Sequence, residues 1–528
     1  MKRLLAAAAV VGLVTVGAVA SSAQADPVRG TVGYTPVVAW GTCDNAALRA
    51  RHADCGYLAV PLDYAHPSGA SIKLAVSRIK HTAASYQGVM LVNPGGPGGA
   101  GYTLSALGEY VPDSAGAAYD WIGFDPRGVG ASKPALTCDR TYEGYRRPPY
   151  VPVTKALETT WLARTRAYAK ACAKAGGALL DHLKTTDSAR DIDSLRRALG
   201  ADRINYYGFS YGTYLGQVYA TLYPGRVRRM VLDGNVDPGR VWYASNLDQD
   251  IAFDRNIKVY FRWLARNDSA YHLGTSGSAI EKLFYTTQAG LTKHPAGGVI
   301  GPDELTDIFL QAGYYVFGWQ DVASAFARWI ADRDATPLKT LYDQAHTPEQ
   351  ADNGYAIYLG VQCTDVRWPR PWAGWTTENW RVHRQAPFET WANAWYNAPC
   401  REWAGAPGEP VAVDGRQAPP VLLLSETLDA ATPFSGSLEV RKRFPRSVLI
   451  EGVGGTTHAG SLFGNKCVDG AVAAYLADGT LPKRVRGSRS DKRCPPIPQP
   501  DPAVPAAKRA ADPGELSRAA LQRTIAGR

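Results

Sequence analysis

A serine held between two glycines, at the point where a strand pattern gives way to a helix pattern, constrains this chain more than any other feature. Residues 203–223 read RINYYGFSYGTYLGQVYATLY. Residues 204–209 form a short run with aromatic and β-branched side chains, which is typical of a buried strand. From residue 213 the apolar residues recur at helical spacing. A strand and a helix therefore meet in a sharp turn at Ser210.

The glycines on both sides of Ser210 have a steric purpose. Gly208 and Gly212 complete a G-x-S-x-G motif, and a Cβ at either position would collide with the strained serine backbone. The turn lifts the serine hydroxyl off the sheet, next to the free N–H groups of the helix N-terminus. This context is typical of the nucleophile elbow of α/β-hydrolases, so we expect an α/β fold with a mostly parallel sheet. The alternative is a tight glycine turn without a catalytic role.

His458 is the candidate general base. A serine hydroxyl is a weak nucleophile at neutral pH and needs a base, which an acidic residue orients. In α/β-hydrolases these groups follow in the order Ser, Asp or Glu, His. His458 lies in the loop 454–460, just after a predicted strand at 447–451, and no other histidine lies beyond residue 383. A solvated surface histidine is the alternative.

The acidic residue is expected after the preceding strand, which is predicted at 421–424. Asp429 lies in the following loop and is the first choice, with Glu426 as the second. Asp414 comes before this strand and is set aside. The alternative for each of these acids is the capping of a helix.

Two N–H groups are expected to form an oxyanion hole. One belongs to Tyr211, the residue after the serine. The other is assigned to Gly96, in the glycine-rich loop 93–101 that follows a predicted strand at 88–92. Glycines allow backbone N–H groups to approach a ligand closely, and α/β sheets place their sites where strands end. A flexible loop is the alternative.

The length of 528 residues exceeds what one compact core holds, so insertions or two domains are expected. After residue 239 helical patterns rich in tryptophan replace the alternation of strands and helices, which predicts a cap over the catalytic face. The predicted regions are a signal peptide (1–25), an irregular N-terminal segment whose start is a candidate pro-region (26–56), the first part of an α/β-hydrolase core (57–239), a helical Trp-rich cap (240–405), the second part of the core (406–495) and a Pro/Ala-rich basic tail (496–528).

The first 25 residues predict export. Lys2 and Arg3 precede an apolar run, and Ala23-Gln24-Ala25 has the form of a cleavage site, so we expect cleavage after Ala25 and a secreted protein. No other apolar run reaches about 18 residues, so no membrane span is expected.

Eight cysteines in an exported chain predict disulfides. Their order alone allows 105 connectivities. Pairing of nearest neighbours is favoured because each pair then closes a local loop: Cys43–Cys55, Cys138–Cys172, Cys363–Cys400 and Cys467–Cys494. Metal binding is the alternative, but no C-x-x-C spacing occurs. No metal and no other cofactor is expected.

The net charge of +10 is concentrated at the two ends of the chain. Residues 1–25 carry +2 and residues 481–528 carry +7, which leaves +1 for the body. A nucleic-acid-binding protein needs a basic face on its folded body, so this function is not expected. A monomer is expected.

The motifs together resemble a known family. They are Asn93-Pro94-Gly95-Gly96-Pro97-Gly98, similar to the H-G-G-P-G loop of prolyl aminopeptidases, Asp125-Pro126-Arg127-Gly128, similar to their D-x-R-G, the Ser210 elbow, the Trp-rich cap, and the loops of Asp429 and His458. With the signal peptide and paired cysteines, residues 40–495 resemble the secreted bacterial tripeptidyl aminopeptidases of the prolyl-aminopeptidase-like serine peptidases. Asn93-Pro94 replaces the His-Gly of the loop, which favours the tripeptidyl group over enzymes that release single residues.

The resemblance implies a substrate with a free N-terminus, from which short peptides, usually of three residues, are released, often with proline or a small residue near the cut. Binding a protonated amine requires a carboxylate on the cap, at a fixed distance from Ser210. Asp365, close to Cys363, is the candidate, and Asp248 and Asp250 are the alternatives. Each of them could instead be a plain surface charge.

Two other functions remain open on the same residues. An esterase or lipase uses the same triad, so turnover of amides relative to esters must separate it from a peptidase. A non-catalytic binding protein could keep the fold, but the three filled triad positions argue against this. A dehalogenase or epoxide hydrolase is disfavoured because it needs Asp where Ser210 stands.

Overall fold

The computed structural model describes residues 34–346 and 348–503. The predicted signal peptide and most of the predicted tail lie outside the described residues. The strands are β1 Val38–Thr42, β2 Asp54–Pro61, β3 Ser71–Ile79, β4 Val89–Asn93, β5 Asp120–Phe124, β6 Ile204–Phe209, β7 Val227–Asp233, β8 Val421–Glu426, β9 Val448–Gly452 and β10 Lys492–Cys494.

These strands form one sheet in the order β1-β2-β3-β5-β4-β6-β7-β8-β9-β10. β1, β2, β3 and β5 pair antiparallel with one another in turn, and all pairs from β5 to β10 are parallel. The expected mostly parallel α/β-hydrolase sheet is confirmed. The carboxyl ends of β4, β6, β7, β8 and β9 lie along one edge, so the loops that follow these strands come together there.

The helices are α1 Ala46–Ala50, α2 Lys155–Gly176, α3 Thr185–Ala198, α4 Tyr211–Leu222, α5 Tyr243–Arg266, α6 Asp268–Tyr271, α7 Gly277–Leu291, α8 Pro302–Tyr314, α9 Trp319–Asp332, α10 Thr336–Ala345, α11 Pro348–Asp365, α12 Trp372–His383, α13 Thr390–Asn397, α14 Phe434–Arg443 and α15 Lys466–Asp478. Within residues 34–346 and 348–503, none of them has the length and apolar content that crossing a bilayer requires.

The core lies on both faces of the sheet, because successive side chains of a strand point to opposite faces. In β4, Val89 and Leu91 pack in one cluster with apolar residues of α3 and α4. Met90 and Val92 pack in a second cluster with residues of α15 and α5. Every residue of β4 and β6 is buried, as expected for strands covered on both faces.

The segment before residue 57 is more regular than expected. Residues 38–42 form the edge strand β1, which pairs with β2 from Val38 opposite Leu58 to Thr42 opposite Asp54. The helix α1 begins at an N-cap where Asn45 Oδ1 accepts from Leu48 N–H at 3.0 Å. The expectation of an irregular segment is wrong for residues 38–56, because its short edge strand lacks a clear alternation of polar and apolar residues.

Helices α5 to α13 lie between β7 and β8 and form the cap over the carboxyl edge of the sheet. The tryptophans pack mainly inside the cap: Trp375, Trp391 and Trp395 are almost fully buried. The ring of Trp161, on α2, stacks on that of Trp395 with centroids 5.6 Å apart. The segment after β5 that contains α2 therefore packs on the cap, although it precedes the nucleophile elbow in the chain.

Four disulfides link Cys43–Cys55, Cys138–Cys172, Cys363–Cys400 and Cys467–Cys494. These are the pairs that the order of the cysteines favours.

The end of the described chain is packed, which differs from the expected tail. Ile497 is buried, and the Pro500 carbonyl accepts from Trp263 Nε1 at 3.0 Å. Residues 497–500 therefore belong to the folded body.

Candidate active site

Ser210 has the backbone strain of a nucleophile elbow. Its φ is 54° and its ψ is −128°, a conformation that L-residues rarely adopt. The flanking glycines are required, since a Cβ on Gly208 would lie 2.5 Å from the Gly212 carbonyl oxygen. A Cβ on Gly212 would lie 2.6 Å from the Asn93 carbonyl oxygen. The local sequence thus places Ser210 directly before α4, at the edge where β6 ends.

The glycine-rich loop after β4 lies against this elbow. A Cβ on Gly95 would lie 2.9 Å from the Tyr211 nitrogen and 2.8 Å from Ser210 Cβ, so only glycine allows the approach. Among the described residues, the N–H groups of Gly96 and Tyr211 donate to no protein acceptor. Two such donors beside a serine suit an oxyanion, and the assignment of Gly96 and Tyr211 to this role remains a proposal.

His458 and Asp429 form a buried hydrogen-bonded pair. Nδ1 of His458 lies 2.8 Å from Oδ2 and 3.1 Å from Oδ1 of Asp429. Asp429 is 0% exposed and His458 is 4% exposed. Since the carboxylate accepts a hydrogen bond from Nδ1–H, the neutral imidazole keeps Nε2 as its acceptor, which is the tautomer a general base needs.

Thr432 holds the carboxylate of Asp429, and the sequence analysis did not identify it. Its N–H donates to Oδ1 at 3.1 Å, and its hydroxyl donates to Oδ2 at 2.8 Å. The signal was the spacing Asp-x-x-Thr, in which an Asp side chain accepts from the backbone three residues on. These contacts fix the carboxylate that faces His458.

The loop of His458 is fixed from the end of β7. Oδ2 of Asp233 accepts from the Ser461 N–H at 2.8 Å and from the Ser461 hydroxyl at 2.5 Å. A Cβ on Gly234 would lie 3.0 Å from His458 Cε1, so the ring packs on this glycine. The Ser210 N–H donates to the Asp233 carbonyl at 2.9 Å. Ser210 contacts Asp233 and His458 packs on Gly234, so both residues lie against the end of β7.

Ser210 and His458 are adjacent without being bonded. In the part of the chain that the structure describes, no hydrogen bond joins the serine hydroxyl to the imidazole. In enzymes without substrate such bonds are often long and shorten when substrate binds. The arrangement is therefore compatible with a Ser210–His458–Asp429 triad, which remains a proposal.

The electrostatics of His458 depend on Asp429. Burial alone lowers the pKa of the imidazole, but the charge and hydrogen bond of Asp429 outweigh it, so the pKa is raised above 6.5. An imidazole must be neutral to accept the serine proton.

We expect kcat/KM for an ester without an amine, such as p-nitrophenyl acetate, to fall on the acid side with a midpoint above pH 6.5. Below the midpoint the loss should be about tenfold per pH unit, because protonation of one group removes the base. A stopped-flow pH profile measures this limb, and the ester avoids the titration of a substrate amine. A midpoint below pH 6 would contradict the proposed base.

Glu426, the second choice for the acid, has another role. Its Oε2 accepts from the Thr457 N–H and its Oε1 from the Ile497 N–H, both at 2.6 Å. Burial raises the pKa of this carboxyl to about 8. The group thus positions the His458 loop without contacting the imidazole, which is hydrogen-bonded to Asp429 instead.

The D-x-R-G motif also supports the site from a distance. The Asp125 carboxylate accepts from the N–H groups of Tyr102 at 2.9 Å and Ala131 at 2.8 Å. Burial raises the pKa of Asp125 to about 6. Arg127 forms a buried bidentate ion pair with Asp191, at 2.8 Å and 2.7 Å. The motif therefore fixes the loop after β5 against α3.

The structure does not support Asp365 as the ligand of a substrate amine. Its carboxylate accepts from Thr185 N–H at 2.6 Å, Thr185 Oγ1 at 2.7 Å and Trp242 Nε1 at 3.0 Å. Burial raises its pKa to about 6. The side chain joins the end of α11 to α3 and to the start of the cap, so its oxygens already have donors. The reason is the packing of the cap on α3, which sequence order does not reveal.

The two alternative acids also have partners within the protein. Both oxygens of Asp248 contact the Arg240 guanidinium, Oδ1 at 2.8 Å. Asp250 is 1% exposed and accepts from Asn393 Nδ2 at 2.8 Å, and burial raises its pKa to about 8. Asp248 faces the cavity described next, whereas Asp250 lies behind its wall.

A cavity of about 1130 Å³ opens between Ser210 and the cap. Ser210, Gly96 and Tyr211 line it on the side of the sheet, and α5, α8, α11 and α13 line it on the side of the cap. The aromatic side chains that face it are mainly tyrosines, whereas most tryptophans lie inside the cap. The candidate nucleophile therefore faces a deep cleft large enough for a short peptide.

Comparisons with known proteins agree with this geometry. Residues 88–281 match a family profile described as alpha/beta hydrolase fold, and residues 386–494 match one described as TAP-like protein. The tripeptidyl aminopeptidase of Streptomyces lividans is 41% identical over 458 residues, 84% of this chain and 85% of the relative. The serine protease Hip1 of Mycobacterium tuberculosis is 29% identical (91% and 96% covered). Carboxylesterase B of the same organism is 32% identical (88% and 92% covered).

The fold and these relatives define a serine hydrolase. More closely, the chain belongs to the tripeptidyl aminopeptidase family of the α/β-hydrolases, and it is a serine peptidase. The resemblance found in the sequence is thereby confirmed.

Proposed function

We propose that this protein is a secreted serine exopeptidase that releases tripeptides from the free N-termini of peptides through an acyl-enzyme on Ser210. The observation that carries the proposal is the buried His458–Asp429 pair beside the Ser210 elbow, in a chain 41% identical to a tripeptidyl aminopeptidase. A proline or a small residue near the cut is part of the proposal.

The chemistry follows from the positions of the groups. Ser210 Oγ attacks the carbonyl carbon of the third residue while His458 Nε2 takes the hydroxyl proton. The N–H groups of Gly96 and Tyr211 stabilise the oxyanion. His458 then gives the proton to the leaving amine, the C–N bond breaks, and the tripeptide remains as an ester on Ser210. A water that His458 deprotonates hydrolyses this ester and restores the serine.

Secretion is supported by two features of different kinds. Residues 1–25 have the pattern of a signal peptide. Four disulfides suit an oxidising compartment, since thiols are kept reduced in the cytosol.

We expect an unblocked decapeptide that begins Ala-Pro-Ala to give Ala-Pro-Ala and a heptapeptide as its first products. The reason is that an acyl-enzyme formed on the third residue carries a tripeptide. Mass spectrometry of early time points measures this, with enzyme inactivated by a fluorophosphonate as the control. Release of single residues, or of internal fragments first, would argue against the proposal.

An esterase is the second candidate, because one relative is named carboxylesterase B. It would hydrolyse p-nitrophenyl butyrate while leaving the decapeptide intact for hours. A peptidase with this triad cleaves both, so the peptide decides between them.

A further inference from the structure

The cavity in front of Ser210 has a one-sided charge distribution. Of the residues that the structure describes, seven Asp and Glu side chains and no lysine or arginine line it. Three of these acids form ion pairs with arginines that do not line the cavity. Asp307 and Glu143 contact Arg147, and Asp248 contacts Arg240. These ion pairs form parts of the wall, so their carboxylates are already compensated.

Glu389 differs from them. It is 8% exposed, it lines the cavity, and among the described residues its Oε2 has no hydrogen-bond partner and no cation pairs with it. Burial, followed by the nearby Asp250 and Asp307, raises its pKa well above the ordinary value. Buried polar atoms usually have a hydrogen-bond partner, so a group that enters the cavity is a candidate partner for this carboxyl group.

Three further cavity side chains have buried polar atoms without a partner among the described residues. They are Asn246 Nδ2 on α5, Gln311 Nε2 on α8 and Gln362 Oε1 on α11. Buried polar atoms in native proteins nearly always have partners, since an unpaired one costs free energy. We call Asn246, Gln311, Gln362 and Glu389 the polar subsite. It offers two acceptors and two donors.

Tyrosines and backbone contacts join the members of the polar subsite. The Glu389 charge, after burial, raises the pKa values of Tyr314 and Tyr358. Tyr358 lies one helical turn before Gln362 on α11, and its hydroxyl donates to Asn397 Oδ1 at 3.1 Å. Asn393, one turn beyond Glu389, donates to the Asn246 carbonyl at 3.2 Å.

Tyr314 also connects the polar subsite to the candidate triad. Its ring lies 5.9 Å from the His458 ring, centroid to centroid, and its carbonyl accepts from the His458 N–H at 2.9 Å. Tyr314, Ser210 and the four residues of the polar subsite line one cavity, and Tyr314 contacts His458. An extended tripeptide needs roughly 10 Å between its scissile carbonyl and its amine.

We propose that the polar subsite binds the N-terminal ammonium and the first peptide unit of the substrate, with Glu389 as the carboxylate that pairs with the ammonium. Gln362 Oε1 accepts a second ammonium hydrogen, and Gln311 and Asn246 donate to peptide carbonyls. This inference rests on the proposed function and replaces Asp365 by Glu389. A charged hydrogen bond in a buried site is stronger than one in water, and an acyl group in place of the ammonium leaves Glu389 without its partner.

The first test uses the unaltered enzyme. Ala-Pro-Ala-p-nitroanilide is compared with propionyl-Pro-Ala-p-nitroanilide, which lacks only the amino group, and with the N-acetyl tripeptide. We expect kcat/KM to fall about 10²-fold or more for both analogues, as for other buried charged pairs that lose one partner. Equal rates for the free and the propionyl substrates would overturn the inference.

The second test uses Glu389→Gln, which keeps the shape and removes the charge. We expect kcat/KM for Ala-Pro-Ala-p-nitroanilide to fall about 10²-fold, and the rate for propionyl-Pro-Ala-p-nitroanilide to change less than about threefold. The matched control is Asp248→Asn, a cavity acid already paired with Arg240, which should change either rate by less than about threefold. Equal losses on both substrates in Glu389→Gln, or the same loss in Asp248→Asn, would contradict the assignment.

Hydrolysis of p-nitrophenyl acetate and labelling by a fluorophosphonate report on the triad independently of the amine. If both persist while no tripeptidyl anilide is cleaved, the proposed function fails. If tripeptidyl anilides are cleaved without regard to the amine, only the polar subsite inference fails.

Discussion

Ser210→Ala should lower kcat/KM for Ala-Pro-Ala-p-nitroanilide by about 10⁴-fold or more, since it removes the atom that forms the acyl-enzyme. The fold should persist, because the strained φ of 54° is set by the glycine packing around the elbow and the hydroxyl donates no hydrogen bond within the described residues. Steady-state kinetics and labelling with a fluorophosphonate measure the loss. The wild-type protein should be labelled and the variant should not.

Ser245→Ala is the matched control for this variant. Ser245 also lines the cavity, but it lies near the start of α5 and outside any glycine elbow. Its replacement should change kcat/KM by less than about threefold, as for most substitutions away from the reacting atoms. Persistent labelling of Ser210→Ala would show that another residue is the nucleophile.

Asp429→Asn should lower kcat by about 10⁴-fold, because an amide at this position stabilises the wrong tautomer of His458. Asp429 Oδ2 lies 2.8 Å from Nδ1, and its charge is what raises the pKa of the imidazole against the effect of burial. The loss of this charge lowers the pKa of His458. The acid limb of the residual activity should therefore move to lower pH, which the ester profile measures.

Glu426→Gln separates the two acids that the sequence leaves open. The amide oxygen keeps one acceptor for the N–H of Thr457 or Ile497, and the imidazole keeps Asp429. We expect less than about a tenfold loss of kcat and an acid limb with an unchanged midpoint. A loss in Glu426→Gln as large as in Asp429→Asn would mean that the orienting acid has been assigned wrongly.

The parts of the site that the sequence predicts are those where local chemistry leaves few alternatives. A serine between two glycines at the end of a strand needs the sharp turn that the structure has at Ser210. Asp429 and His458 follow the strands β8 and β9, whose carboxyl ends lie on the same edge as that of β6. Parallel pairing brings distant loops together, so strand order alone predicts their approach.

The sequence does not predict which acidic side chain of the cap faces the cavity without a partner. Asp365 and Glu389 are both acids of a helical, Trp-rich segment, and nothing in their local sequence separates them. Tertiary packing separates them. Asp365 accepts hydrogen bonds from Thr185 and Trp242, whereas Oε2 of Glu389 accepts none among the described residues. These contacts join residues more than a hundred positions apart, which helical periodicity does not encode.

The carboxyl group of Glu426 has a consequence for how far the polypeptide can be shortened. One of its oxygens accepts a hydrogen bond from the N–H of Thr457, next to His458. The other accepts one from the N–H of Ile497, close to the end of the described residues. A protease that removed residues from about 495 onward would remove the hydrogen bond between Ile497 and Glu426 and expose Glu426 to water. Residues beyond the last disulfide, at least as far as Ile497, are therefore needed to keep this contact, and a shortened chain should retain them.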